Sequence, residues 1–111
     1  MPANPFAAYG TSSAIGAASF ATSRVNVTVS AALLVAARPG LSSVGRVAVT
    51  LYNRGTVTVY VGPDSNVAST GTGADVGIDI PAGASLTLNT TAAIYGKTDS
   101  GSSTIAAVET Y

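Results

Sequence analysis

The fold is decided by residues 46–62, which read R-V-A-V-T-L-Y-N-R-G-T-V-T-V-Y-V-G. On both sides of the central N-R-G tripeptide, aliphatic residues occupy every second position, which is the period of half-buried β-strands. A loop with Gly55 in the left-handed conformation pairs Leu51 with Val57 and makes one face of the ribbon wholly aliphatic. The stretch therefore predicts a β-hairpin whose aliphatic face packs against a second layer.

The opposite face of this predicted hairpin carries hydroxyl groups. It presents Thr50, Tyr52, Thr58 and Tyr60, none of which needs to be buried. The two tyrosines are interpreted as cross-strand partners or as rings that another subunit covers. They could instead form an exposed aromatic platform on which sugars stack, so glycan binding stays open as an alternative.

Strand patterns continue on both sides of this hairpin. Residues 25–37 contain an alternating run and then an apolar run, which ends before an R-P-G turn. A second hairpin is predicted about Gly83, and a last pair of strands is predicted within residues 94–111. About seven or eight short strands without a helical pattern imply an all-β fold, either an antiparallel β-sandwich or a jelly-roll-like barrel.

The first 23 residues differ from the rest of the chain. They are rich in Ala, Ser, Gly and Thr, and their prolines and glycines discourage regular structure. The apolar residues Phe6, Tyr9 and Phe20 follow no helical or strand period. Residues 1–23 are therefore predicted to form an extended arm that precedes a β-sandwich domain of residues 24–111. The arm could lie along its own domain or clasp a neighbouring subunit.

The chain carries unusually little charge. Its five Lys and Arg balance its five Asp and Glu, and charged residues make up 9% of the 111 residues, against about a quarter in typical globular domains. Neutral, weakly charged surfaces tend to associate, so we expect other protein to cover much of this surface. The alternative is a monomer kept soluble by its hydroxyl groups. No segment resembles a membrane span or a signal peptide, so synthesis in the cytoplasm is expected.

Catalytic chemistry finds little support in the sequence. The chain has no His and no Cys, which excludes Ser-His-Asp and Cys-His machinery and the usual zinc sites. Asp75 with Asp79, and Asp64 with Asp99, are the carboxylate pairs that a glycosidase could use. Asp64, Asp75 and Asp99 stand in turn-like surroundings, which favour capping of the backbone instead. The chain is predicted not to be an enzyme and to need no cofactor, although calcium held by distant loops stays open.

The cations do not predict binding to nucleic acid. Five cations spread along the chain do not form the basic patch that phosphate contacts require. Arg38, Arg46 and Arg54 could nevertheless group on one face and contact the carboxylates of a protein partner. The simpler interpretation is that each solvates a strand end and pairs locally.

Four segments resemble a small β domain that is common in structural proteins of tailed bacteriophages. They read V-T-L-Y-N-R-G-T-V-T-V-Y-V-G-P, I-P-A-G-A-S-L-T-L, T-A-A-I-Y-G-K-T-D-S-G and a closing V-E-T-Y, and the resemblance covers residues 25–111. It implies a virion component, most simply a head decoration or cement protein that binds the major capsid protein. The threefold positions of capsid lattices suggest a trimer. A tail or head-fibre module that binds a receptor glycan is the alternative.

The residues predicted to contact a partner come from the arm, the arginines and the hydroxyl-rich face. They are Phe6, Tyr9, Phe20, Arg46, Tyr52, Arg54, Thr58 and Tyr60.

Overall fold

A computed structural model describes residues 19–39 and 45–111. Within these ranges the chain forms eight β-strands and no helix. The strands are β1 (Phe20–Val27), β2 (Ala32–Val35), β3 (Ala48–Asn53), β4 (Val59–Gly62), β5 (Ile78–Ile80), β6 (Ser85–Leu88), β7 (Ile94–Lys97) and β8 (Ser103–Thr110).

The strands form two four-stranded antiparallel sheets. Sheet I has the order β1-β8-β3-β6, and sheet II has the order β2-β7-β4-β5. The first half of the chain pairs with the second half in reverse, β1 with β8, β2 with β7, β3 with β6 and β4 with β5. This is the strand order of a double-sheet jelly roll. The predicted all-β antiparallel sandwich is confirmed.

The predicted hairpin of residues 46–62 is wrong, because the chain crosses from one sheet to the other. β3 lies in sheet I and β4 lies in sheet II, so they face each other across the core and share no ladder. Gly55 does not have a positive φ. A glycine is required there because a Cβ at Gly55 would lie 1.8 Å from the hydroxyl oxygen of Ser103.

The other two predicted strand pairs are corrected in the same way. The turn at Gly83, whose φ is 79°, connects β5 in sheet II to β6 in sheet I. The turn at Gly101, whose φ is 70°, connects β7 in sheet II to β8 in sheet I. Both glycines adopt the left-handed conformation, and both turns join the two sheets instead of neighbouring strands.

The core lies between the sheets and contains most of the side chains that alternation predicted to be buried. Val49, Leu51 and Val59 are fully buried, and burial of each such side chain contributes about 1.5–3 kcal/mol. Val47 precedes β3 and is exposed. The full core cluster is Val27, Leu34, Val35, Val49, Leu51, Val59, Val61, Ile80, Ile94, Ile105 and Ala107.

The sandwich begins earlier than predicted. β1 starts at Phe20, and Ser19 exchanges two backbone hydrogen bonds of 2.7 and 2.9 Å with Tyr111. Residues 20–23, predicted to belong to the arm, therefore pair with the long strand β8. The sequence F-A-T-S gives no alternating strand signal alone, and the partner strand supplies the pairing. Residues 1–18, including Phe6 and Tyr9, lie outside the described residues.

Candidate functional site

The outer face of sheet I is broad and nearly uncharged. The register places one set of residues from all four strands on this face, Phe20, Thr22, Arg24, Asn26, Ala48, Thr50, Tyr52, Ser85, Thr87, Thr104, Ala106, Val108 and Thr110. Arg24 is the one charged residue among them. The hydroxyl oxygens of Thr50 and Thr87 lie 2.8 Å apart across neighbouring strands. Phe20 is 69% exposed and Tyr52 is 44% exposed.

A shallow groove of about 450 Å³ crosses this face between β1 and β3. Thr22 and Arg24 form one wall, Thr50 and Tyr52 form the other, and alanine and valine side chains of β8 form the floor. The groove thus offers methyl groups, hydroxyl groups and one aromatic edge, together with a single guanidinium. The groove contains no carboxylate, so Arg24 carries the one charge that a covering protein would have to pair.

The two tyrosines of the predicted aromatic platform lie on opposite sides of the molecule. Tyr52 lies on the outer face of sheet I, whereas Tyr60 lies on the outer face of sheet II, where it pairs with Asp79 and Lys97. The pKa of Tyr60 is raised, chiefly by burial of its ring and further by the negative charges of Asp99 and Asp79. The prediction that Tyr52 and Tyr60 share a face is therefore wrong.

Thr58 does not join this face either. It precedes β4 in the connection from sheet I and is half-buried. Because β4 belongs to sheet II, Thr58 does not extend the surface formed by Thr50 and Tyr52. The predicted grouping of these three residues with Tyr60 is wrong for the same reason that the hairpin is wrong.

Arg46 is a buried structural residue, not the exposed contact residue that was predicted. Its side chain has no exposed surface. Its Nε donates to Glu109 over 3.0 Å, and its Nη1 donates to the carbonyl oxygens of Thr90 and Ala92 over 2.9 and 2.8 Å. Its Nη2 donates to the carbonyl oxygen of Ala36. These bonds tie the start of β3 to loops on the other side of the core and close this end of the sandwich.

Glu109 accepts hydrogen bonds from two arginines, Arg38 and Arg46. Arg38 Nε donates to the same Oε1 over 3.2 Å, and the Arg38 guanidinium carbon lies 3.8 Å from the centroid of the Tyr111 ring. Burial raises the pKa of Glu109, but the hydrogen bonds and charges of Arg38 and Arg46 outweigh burial, so the pKa is lowered overall. Arg38 and Arg46 therefore meet on one carboxylate of their own chain, and Arg46 does not solvate a strand end as the simpler interpretation predicted.

We expect Glu109 to make the stability of the protein depend on acidic pH. Because its folded-state pKa lies below the unfolded value of 4.5, its contribution is present above about pH 4.5 and is lost as the pH falls through the folded-state pKa. Chemical denaturation of the wild type and of Glu109→Gln between about pH 2 and about pH 7 measures this dependence. The stability difference should shrink on acidification, and a difference that stays constant would contradict the prediction.

Arg54 stays apart from the other two arginines. It is exposed and follows β3, whereas Arg46 precedes β3. Six strand residues separate them, a span of about 20 Å. The three arginines therefore do not form the common patch that was considered, and Arg54 remains accessible to a partner.

Asn53 was missed by the sequence analysis, which placed it in a turn. It is fully buried at the end of β3. Its Nδ2 donates to the carbonyl oxygens of Val57 and Ile80, each over 2.8 Å. Its Oδ1 accepts from the amide of Gly55 over 3.0 Å and from the hydroxyl of Ser103 over 2.6 Å. The period of two, which puts Asn53 on the same face as Leu51, was the signal for its burial.

Two of the aspartates, Asp64 and Asp99, accept hydrogen bonds from their own turn or from a neighbouring loop. Asp64 accepts from the amide of Asn66 over 2.8 Å, which confirms turn capping at this position. Asp99 accepts from the hydroxyl of Ser69. Asp79 lies in β5 and Asp75 lies in the preceding turn region. Within residues 19–39 and 45–111, no three His, Cys, Asp or Glu side chains group as metal ligands.

Comparisons with protein-family models, with curated proteins and with solved structures find no match to this chain. In the part of the chain that the structure describes, no helix is long and apolar enough to cross a membrane.

Proposed function

We propose that this chain is a non-enzymatic structural subunit of a bacteriophage particle, a decoration or cement protein that binds the capsid lattice. The outer face of sheet I is the observation that carries the proposal. This face has one charge, a groove with a floor of short side chains, and two exposed aromatic residues, Phe20 and Tyr52. Jelly rolls occur in viral capsid proteins and in lectins, so the architecture agrees with the proposal without selecting it.

The energetics of this face suit a protein partner. Thr, Ala and Val are short side chains that lose little rotamer freedom on burial, so ordering them at an interface costs little. Tyr52 and Phe20 supply apolar area, and aromatic residues commonly anchor interfaces. Arg24 is the one charged residue on the face, so a partner has a single charge to pair when it covers this surface. A partner surface that is itself apolar and hydroxyl-rich therefore matches it best.

The proposed mechanism is mechanical. A subunit that bridges neighbouring capsid proteins binds the assembled lattice and not its separated parts, so its binding free energy stabilises the assembled state by mass action. Residues 1–18, which are uncharged, would extend the contact beyond the sandwich. The subunit would be made in the host cytoplasm and would act on the capsid surface, with the major capsid protein as its partner.

We expect Tyr52→Ala to weaken binding to purified capsids by about tenfold, which corresponds to about 1.4 kcal/mol. Tyr60→Ala is the matched control, because it removes the same side chain from the opposite face. Sedimentation of the protein with capsids measures the affinity of both variants. Equal affinity of Tyr52→Ala and wild type would exclude the outer face of sheet I as the capsid contact.

Glycan binding by a tail or head-fibre module is a second candidate, favoured by the outer face of sheet II. Tyr60 and Tyr95 lie there on the neighbouring strands β4 and β7, and Lys97 and Asp79 flank Tyr60 on either side. Aromatic rings beside polar groups are suited to stacking and hydrogen bonding with a sugar. The same pair of variants separates the candidates, since Tyr60→Ala would abolish glycan binding and leave capsid binding unchanged.

A further inference from the structure

The long strand β1 has an unpaired edge. Sheet I places β1 at its border, with β8 on one side. Among the residues that the structure describes, no strand pairs with the other side. β1 is eight residues long and pairs with β8 without a register shift. It contains no proline.

The other three sheet edges are less open. β6 and β2 have four residues each, and the register of β2 shifts between Leu33 and Val35. β5 has three residues and is followed by Pro81. Short length, irregular register, proline and charged side chains are the usual means by which proteins protect edges from pairing with another chain. β1 lacks the first three, and Arg24 is its one charged residue.

The pair of Ser19 and Tyr111, directly before β1, shows which way the backbone groups of β1 point. Ser19 exchanges both backbone hydrogen bonds with Tyr111, so the odd-numbered residues of β1 direct their N–H and C=O groups toward β8. The even-numbered residues, from Phe20 to Asn26, direct theirs toward the unpaired edge. This edge therefore offers a regular series of donors and acceptors to an incoming strand.

We propose that β1 pairs with β1 of a second copy of this chain, antiparallel and about a twofold axis at Ser23. In this register Ser23 faces Ser23 of the second copy, Thr22 faces Arg24, and Phe20 faces Asn26. Both cores then lie on the same side of one continuous eight-stranded sheet, since each residue faces a residue of the same orientation. The pairing is isologous and closes at two copies.

Charge selects this register. An axis at Arg24 would place the two arginines directly opposite each other, and like charges opposite each other on neighbouring strands are destabilising. An axis at Thr22 would pair fewer residues of β1. The axis at Ser23 gives Arg24 an uncharged partner and uses the strand from Phe20 to Asn26.

The inference does not rest on the virion proposal. A strand edge can pair with a second copy whether or not the outer face of sheet I binds a capsid. It predicts a dimer, whereas the analogy with capsid lattices suggested a trimer. The two proposals can fail separately, because one is measured on the isolated protein and the other on purified capsids.

Cysteine scanning tests the register in a chain that has no native cysteine. Ser23 would occupy a non-hydrogen-bonded pair with a Cα separation of about 4.5 Å, within the range of a disulfide. Thr22 and Arg24 would each lie about 7–8 Å from their own copies, beyond that range. Under mild oxidation Ser23→Cys should form a covalent dimer, while Thr22→Cys and Arg24→Cys stay monomeric on denaturing gels. A dimer that forms only through position 22 or 24 would overturn the proposed register.

Proline substitution tests the hydrogen bonding of the edge. The amide of Thr22 points away from β8, so Thr22→Pro should abolish dimerisation in sedimentation equilibrium and leave the fold and melting temperature of the dilute monomer almost unchanged. Ser23→Pro is the matched control, because it removes an amide that bonds β8 and should lower the melting temperature. A wild type that is monomeric up to millimolar concentration, or a Thr22→Pro dimer as tight as wild type, would overturn the proposal.

Discussion

Asn53→Ala is expected to lower the free energy of unfolding by about 3–5 kcal/mol, because it leaves several buried polar groups without partners. The side chain satisfies the carbonyl oxygens of Val57 and Ile80, the amide of Gly55 and the hydroxyl of Ser103. These groups come from three different parts of the chain, so no other single side chain replaces them. Urea denaturation followed by circular dichroism measures the loss.

Asn89→Ala is the control, since Asn89 is exposed and outside the strands. It should change the stability by no more than about 0.5 kcal/mol. Asn53→Asp separates the two functions of the amide, because a carboxylate keeps the acceptor for Ser103 and Gly55 but presents no donor to the two carbonyl oxygens. We expect Asn53→Asp to be strongly destabilising as well. If Asn53→Ala unfolds at the same urea concentration as Asn89→Ala, the buried network does not stabilise the fold.

Alternation predicted which side chains are buried but not which strands are neighbours. Val49 and Leu51 point into the core from sheet I, and Val59 and Val61 point into it from sheet II. The inner faces of a sandwich oppose each other, so a hairpin and a crossing between sheets produce the same period of two. Side-chain periodicity therefore contains no information that distinguishes the two connections.

The polar residue Asn53 at the end of β3 would have distinguished a hairpin from a crossing between sheets. Asn53 continues the buried series of Val49 and Leu51, and a buried asparagine requires partners from more than one segment. A hairpin turn would have left Asn53 in solvent with no such need. The crossing supplies the partners, because it brings the end of β5 and the start of β8 beside the end of β3.

The candidate contact surface was predicted in part. Tyr52 lies on an exposed face, as alternation indicated, and Phe20 is exposed on the same face. The separation of Tyr60 from Tyr52 follows from the strand partners, which the sequence did not determine. The burial of Arg46 was not predictable from local pattern either, since its acceptors Ala36, Thr90 and Ala92 come from distant parts of the chain.

Arg46→Ala is expected to cost about 3 kcal/mol or more, because it removes a buried charge partner and leaves three carbonyl oxygens without donors. For a domain of this size, such a loss lowers the melting temperature by roughly 10–20 °C. Arg46→Lys should recover little of it, since a single ammonium group cannot reach Glu109 and all three carbonyl oxygens in the geometry of the guanidinium fork. Thermal unfolding at neutral pH measures both variants.

The control and a double-mutant cycle assign the loss to the buried network and not to charge in general. Arg54→Ala removes an exposed arginine from the other end of β3 and should change stability by no more than about 0.5 kcal/mol. Glu109→Gln in the Arg46→Ala background should cost less than Glu109→Gln in the wild type, because the carboxylate has already lost one of its two arginines. Equal costs in the two backgrounds would mean that Arg46 stabilises the sandwich through the loop carbonyl oxygens alone. Arg46→Ala as stable as Arg54→Ala would exclude both contributions and would make Arg46 a residue whose burial has no effect on the fold.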